Sequence, residues 1–152
     1  MAMKRLPLVV FCLLAAAAMA DDASKVTVYY LHNTWRCYSC NSIESLTRAA
    51  VLGGKGENTK FKGEIDATSP FPEMVKAGTL SFEPVNVDLA ENKHLLTDLK
   101  AEAKYPVMVE TKGGKVVRSK VLTEVWERLG DNAGFIKYVQ TELRAFVGGD
   151  KK

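Results

Sequence analysis

Two cysteines, Cys37 and Cys40, stand C-x-x-C at the point where a β-rich run gives way to a helical pattern. Before them, Lys25-Val26-Thr27-Val28-Tyr29-Tyr30-Leu31 is dense in β-branched and aromatic residues and predicts a strand. A loop follows over His32-Asn33-Thr34-Trp35-Arg36. Ile43, Leu46, Ala50 and Val51 then recur at helical spacing and predict a helix from about Cys37 to Leu52. Gly53-Gly54-Lys55-Gly56-Glu57-Asn58 ends it. A cysteine at a helix N-terminus meets unpaired N–H groups and the positive end of the macrodipole, and both favour the thiolate. Arg36 places a positive charge beside it. Cys40 lies about one turn further along the same face. An activated sulfur with a second thiol in reach meets the two requirements of thiol–disulfide exchange.

The third cysteine, Cys12, belongs to a different kind of segment. Residues 1–20 carry Lys4 and Arg5, an apolar run and Ala18-Met19-Ala20, with no Asp or Glu before Asp21. That is the pattern of a secretory signal peptide cleaved near Ala20. The 15 apolar residues from Leu6 to Ala20 are short of the roughly 20 that span a bilayer. Phe11 precedes Cys12 where a lipoprotein signal needs a small residue, so lipid anchoring is not expected. The expected product is an exported, periplasmic or secreted domain over 21–152 with a frayed tail from about 148, its relation to the membrane limited to export. Of 21 basic residues, 19 remain without Lys4 and Arg5, against 18 acidic ones. No basic stripe survives to suggest a nucleic-acid partner. Apolar content of 47% excludes a disordered chain.

Beyond the first helix, Pro70 and Pro72 interrupt the pattern, and Ser69 is placed to cap a short helix over Phe71–Ala77. Thr79 to Asp88 predicts a strand, with Pro84 marking an edge. Leu95, Leu96 and Leu99 predict a helix from Glu91 to Ala103. Pro106–Thr111 and Val116–Ser119 predict two strands joined by the turn Lys112-Gly113-Gly114-Lys115. Phe135, Ile136, Val139, Leu143, Phe146 and Val147 form the stripe of a last helix over 132–147. Both connections before Pro106 are long enough for crossovers and predict parallel neighbours; the Gly-Gly turn predicts an antiparallel pair. The fold class is α/β, a central mixed four-stranded sheet flanked by helices.

Two plainer readings of the cysteine pair compete with redox chemistry. As a staple, the short loop it closes contributes roughly 2 kcal/mol, against roughly 4.7 for a 100-residue loop. As a metal or trivalent arsenic site, the pair would bind without turnover. His32 or His94 would then be further ligands, although no second close ligand pair exists, so no metal is expected. Among the neighbours, Trp35 covers the dithiol or contacts a partner, or else packs on the domain. His32 is a proton relay or a loop histidine. Tyr105 shapes a partner groove or packs. No G-x-G-x-x-G follows a strand, so no flavin or nicotinamide cofactor is expected and the dithiol itself carries the electrons.

The element order and the C-x-x-C after the first strand resemble the thioredoxin superfamily, as do Tyr105-Pro106-Val107-Met108-Val109, Val85-Asn86-Val87-Asp88 and the final Gly-Gly hairpin. The resemblance covers essentially the whole chain after residue 20. It implies a thioredoxin-like fold in which Pro106 is a cis-proline facing the dithiol, Cys37 is the nucleophile, Cys40 resolves, and the two form a reversible disulfide. More narrowly, residues 29–41, Val85–Asp88 and Phe135–Gln140 resemble the exported ArsF-like family. That family is described as a subunit of a nitrophenyl-compound nitroreductase system linked to aromatic arsenicals. The resemblance implies electron delivery, with a protein disulfide or a membrane electron donor as partner. The chain departs from thioredoxin at Leu31, where a buried acid would stand, at Pro84, where a lysine would stand, and at Arg36, where tryptophan would directly precede the cysteine. Tyr38-Ser39 replaces Gly-Pro between the cysteines. Proton handling and redox potential at the dithiol therefore do not carry over from that superfamily.

Overall fold

The β-branched run near the start of the chain forms the strand around which the rest assembles. The computed structural model describes residues 23–149, so the expected signal peptide, Cys12 and the last three residues lie outside the described part. Strand β1 (Lys25–His32) is followed by α1 (Tyr38–Leu52), the hairpin β2 (Gly54–Asn58) and β3 (Gly63–Ala67), and α2 (Pro72–Lys76). Then come β4 (Leu80–Asn86), α3 (His94–Asp98), β5 (Pro106–Lys112), β6 (Lys115–Val121), a 3-10 turn at Thr123–Val125 and α4 (Asn132–Gly148). Among the described residues no helix is long and apolar enough to cross a membrane.

The central sheet has the order β4-β1-β5-β6. β1 runs parallel to β4, with Tyr30 opposite Pro84, and antiparallel to β5, with Tyr30 opposite Pro106. β5 and β6 form the antiparallel hairpin predicted from the Gly-Gly turn. This mixed four-stranded sheet with helices on both faces is the expected α/β architecture. Pro84 sits on the edge strand β4, where a missing N–H costs no interior ladder bond.

One directional expectation is corrected. The second crossover does not return a parallel strand, because β5 runs against β1. Its helix, α3, has five residues and is about 7.5 Å long. It cannot carry the chain back along a seven-residue strand of roughly 23 Å. The connection stays at one end of the sheet: Val87 N–H donates to the His32 carbonyl (2.8 Å), and Leu31 N–H donates to Tyr105 (3.3 Å). The expected helix over 91–103 is cut short for a local reason. Lys100 takes φ 49°, a left-handed conformation that a continuing helix does not tolerate.

Alternation along β1 divides the core. Val26, Val28 and Tyr30 face α1 and α4, where they bury with Ile43, Leu46, Met108, Phe135 and Leu143. Leu31 faces the other way, with Val87, Leu99, Val107 and Val109, against Leu95 and Leu96 of the α3 region. Each fully buried large side chain contributes about 1.5–3 kcal/mol relative to exposure. α1 is thereby held on the sheet along its length, and its first turn stands at the end of β1.

The hairpin β2–β3 has no counterpart in the predicted elements. It is held by close approach and by one buried amide. A Cβ at Gly56 would stand 3.0 Å from Ala49 Cβ and 3.2 Å from Leu46 Cδ2, so glycine lets β2 lie directly on α1. Asn58 is buried; its Nδ2 donates to the Leu129 carbonyl (2.7 Å) and to Asn132 Oδ1 (2.7 Å), and its Oδ1 accepts from Phe61 N–H (3.0 Å). Ser69 does not cap α2, whose N-cap is Phe71. Its hydroxyl donates to the Val51 carbonyl (2.6 Å) and accepts from Phe71 N–H (3.2 Å). Replacing Asn58 with Ala strips three bonds and leaves buried polar groups unpaired, which costs about 1–3 kcal/mol. Urea denaturation of N58A is expected to show that loss at an unchanged m-value; wild-type stability would remove the amide from this role.

Candidate functional site

The site is built where β1 ends and α1 begins. Cys37 is the N-cap of α1, in extended backbone at φ −97° and ψ 166°. Its Sγ accepts from Cys40 N–H at 3.2 Å, and its carbonyl accepts from Asn41 N–H at 3.0 Å. Side-chain oxygens usually fill this cap position; here a sulfur does. No acidic residue stands in the first turn to compete for the helix's positive end. Cys37 and Cys40 are joined by a disulfide with Cα atoms 5.0 Å apart. Cys37 is half-buried and Cys40 is 1% exposed. The two cysteines are therefore unequal: one is partly open to solvent, the other is buried.

A network from the end of β4 holds the loop that delivers Cys37. Asp88 Oδ2 accepts from Thr34 N–H (2.7 Å), and Oδ1 accepts from Asn33 Nδ2 (2.9 Å). Asn86 Nδ2 donates to Thr34 Oγ1 (3.0 Å). The Thr34 N–H, and then the Asn33 amide, hold the Asp88 carboxyl below the usual carboxylate range. On the other flank, the β2–β3 turn is pinned to the first residue of α1. Thr59 Oγ1 and Ser42 Oγ both donate to the Tyr38 carbonyl, at 2.9 and 2.8 Å. Ser42 Oγ also accepts from Lys60 N–H at 3.0 Å.

Two of the four expected supporting residues, Trp35 and Arg36, stand beside Cys37. Trp35, Arg36, Cys37, Tyr38 and Asn41 line a recess of about 380 Å³. Trp35 is 81% exposed and Tyr38 73%, so the Trp35 ring does not pack into the domain. The two aromatic rings rim the entrance to Cys37. Arg36 lines this recess and also has partners of its own. Its guanidinium pairs with Glu44 of α1 and lies 5.5 Å from the centroid of the Tyr30 ring. Burial pushes the Tyr30 phenol well above its ordinary pKa; Arg36 opposes that rise and Glu44 adds to it.

His32 stacks on Tyr30, ring centroids 6.2 Å apart. Its Nδ1 lies 2.9 Å from the Asn33 carbonyl, which can only accept, so Nδ1 carries the hydrogen. His94 is exposed on α3, 4.0 Å from Asp98. Among the described residues no three His, Cys, Asp or Glu side chains converge as metal ligands, so neither histidine joins the cysteines. Tyr105 is brought elsewhere: it meets Trp126 edge-on at 6.5 Å and lines a separate recess with Lys100, Ala101, Glu102, Val121 and Thr123. Pro106 is buried at the first position of β5, opposite Tyr30. The expected cis bond is corrected, since no cis peptide occurs among the described residues. The trans form of an X–Pro bond is intrinsically favoured by about 0.5–1 kcal/mol, and here the Tyr105 carbonyl pairs with Leu31 N–H. Glu44 and Asp88 were not singled out from sequence. A lone carboxylate on a polar face looks like solvated charge until its tertiary partner is known; the spacing of Glu44 four residues after Cys40 was the available signal.

No protein-family model matches the chain, and no curated protein matches it. Among solved structures it is similar to thioredoxin O2 from Arabidopsis thaliana in the oxidised state. The identity is 17%, the match covers 78% of this chain and 75% of that one, and the TM-score is 0.37.

The Asp88 anchor has a defined pH signature. Its folded pKa lies below the ordinary value, so its contribution is fully present above about pH 4. That contribution is lost as pH falls through the folded value. Hydrogen exchange of the Thr34 amide, relative to its intrinsic rate, is expected to be protected at pH 5 and released on acidification. In Asp88→Asn the protection at pH 5 is expected to fall, with little further change in acid. Equal protection in both proteins would show that Asp88 does not hold the loop.

Proposed function

We propose that this chain is an exported thiol–disulfide oxidoreductase. The observation that carries the reading is the sulfur of Cys37 at the N-cap of α1, accepting a backbone N–H and half-exposed in front of a buried Cys40. In the reduced protein the same N–H groups and helix dipole favour a thiolate on Cys37. That thiolate attacks a partner disulfide, forms a mixed disulfide and expels one partner sulfur. Cys40 then attacks Cys37 Sγ, releases the second partner sulfur and leaves the Cys37–Cys40 disulfide found here. The reverse sequence oxidises a partner dithiol.

Export is supported by the basic, apolar and small-residue order of residues 1–20. The partner is a protein disulfide or a membrane electron donor whose sulfur enters the recess between Trp35 and Tyr38. The resemblance of residues 29–41 to the ArsF-like family supports a finer form, electron delivery to a nitrophenyl-compound nitroreductase.

Cys40→Ser is expected to accumulate a partner or small-molecule thiol bound at Cys37, seen as a mass adduct removed by reductant. Cys37→Ser is expected to form none and to lose exchange activity. Trapping only in Cys37→Ser would reverse the two roles. A wild-type dithiol that neither reduces insulin nor oxidises a model dithiol would overturn the reading.

A further inference from the structure

Resolution of a mixed disulfide requires Cys40 as a thiolate, yet burial disfavours that charge. β1, which leads to the dithiol, carries no Asp or Glu, and Leu31 near its end is fully buried in the opposite core. Glu44 lies four residues after Cys40 on α1. At that spacing two side chains are neighbours on one helix face, with Cβ atoms about 5–6 Å apart. The Glu44 side chain is 27% exposed and is ion-paired with Arg36, the residue before Cys37. Arg36 is itself fixed against the Tyr30 ring, and its Nε and the Tyr30 hydroxyl are buried without a hydrogen-bond partner. The pair thus spans from the loop carrying the attacking sulfur to the helix face carrying the resolving one.

We propose that Glu44 accepts the proton of Cys40 during resolution, with Arg36 as its positioning residue. The inference rests on the exchange reading above. The Glu44 carboxylate takes the proton from Cys40 Sγ. The Cys40 electron pair forms the bond to Cys37 Sγ, the bond from Cys37 to the partner sulfur breaks, and the partner leaves as a thiolate. Neutralising Glu44 also frees the positive charge of Arg36, which lines the recess where that thiolate departs. In the reverse direction Glu44 returns the proton to Cys40. The ionisable groups on the elements next to Glu44 include Arg36 from the loop, Tyr30 from β1 with His32 stacked on it, Arg48 one turn further along α1, and Glu57 of β2, whose N–H donates to Ser45 Oγ. β4 and β5 place Pro84 and Pro106 beside Tyr30 and add no ionisable group at that register.

The test uses the reduced, processed protein and dithiobis-nitrobenzoate, which releases one coloured thiolate when Cys37 attacks and a second when Cys40 resolves. In Glu44→Gln the ratio of the second rate to the first is expected to fall about tenfold or more at neutral pH. The deficit is expected to shrink as pH rises and Cys40 ionises unaided. Glu44→Asp, which keeps the acid, is expected to recover much of the ratio. An unchanged ratio in Glu44→Gln would overturn the assignment while leaving exchange by the wild type intact. So would an equal, pH-independent loss in both variants, which would mark a packing effect. No release by the wild type would overturn the exchange reading and this inference together.

Discussion

Helix α1 begins on a sulfur. The first turn of any helix presents N–H groups without intrahelical acceptors, and the chain must supply acceptors for them or leave them to solvent. Here Cys37 Sγ takes the N–H of Cys40, so the residue that caps the helix is also the more accessible of the two cysteines. The geometry survives only if both sides of the cap are fixed. The helix side is fixed by Ile43, Leu46 and Ala50 buried against the sheet. The loop side is fixed by Asp88, which reaches back from the end of β4 to the Thr34 N–H and the Asn33 amide. The parallel pairing of β1 with β4 makes that reach possible, because it brings the C-terminal ends of both strands to the same edge of the sheet.

Charge is distributed around the dithiol differently from a simple cation-beside-cysteine arrangement. Arg36 is paired with Glu44 and stacked over Tyr30, so in the disulfide form its charge is largely answered before it reaches Cys37. At Cys37 the groups placed to favour a thiolate are the backbone N–H groups of α1. An exposed ion pair contributes little, about 0–1 kcal/mol. A partly buried one, with Arg36 Nε and Tyr30 OH left without partners, is a poor device for stability. Trp35, Tyr38 and Phe61 stand exposed around this end of α1, the last carried by the β2–β3 turn that Thr59 and Ser42 tie to Tyr38.

Elements with a strong period were legible in the sequence. β1, α1, the β5–β6 hairpin and α4 stand within a residue or two of their expected bounds. Cys37 and Cys40 could be read because the required spacing is local. The β2–β3 hairpin could not, since Gly54, Lys55, Gly56 and Glu57 carry no strand preference; Gly56 lying on α1 and the buried Asn58 amide hold it. The direction of β5 was misread because connection length alone does not say whether a crossover travels the length of the sheet. Asp88 and Thr34 are 54 residues apart in the chain, and no local pattern announces their bond. Glu44 sat in plain view at helical spacing from Cys40, but its pairing with Arg36 is a tertiary fact.

The most direct measurement is the titration of the Cys37 thiol in the reduced protein, followed by thiolate absorbance in a Cys40→Ala background. The account requires a pKa clearly below the ~8.5 of a free cysteine, in the range at or below about 7.5 seen for sulfurs at helix N-termini. A value at or above that of a free thiol would mean that the start of α1 does nothing for the sulfur that caps it, and would contradict the account at its root.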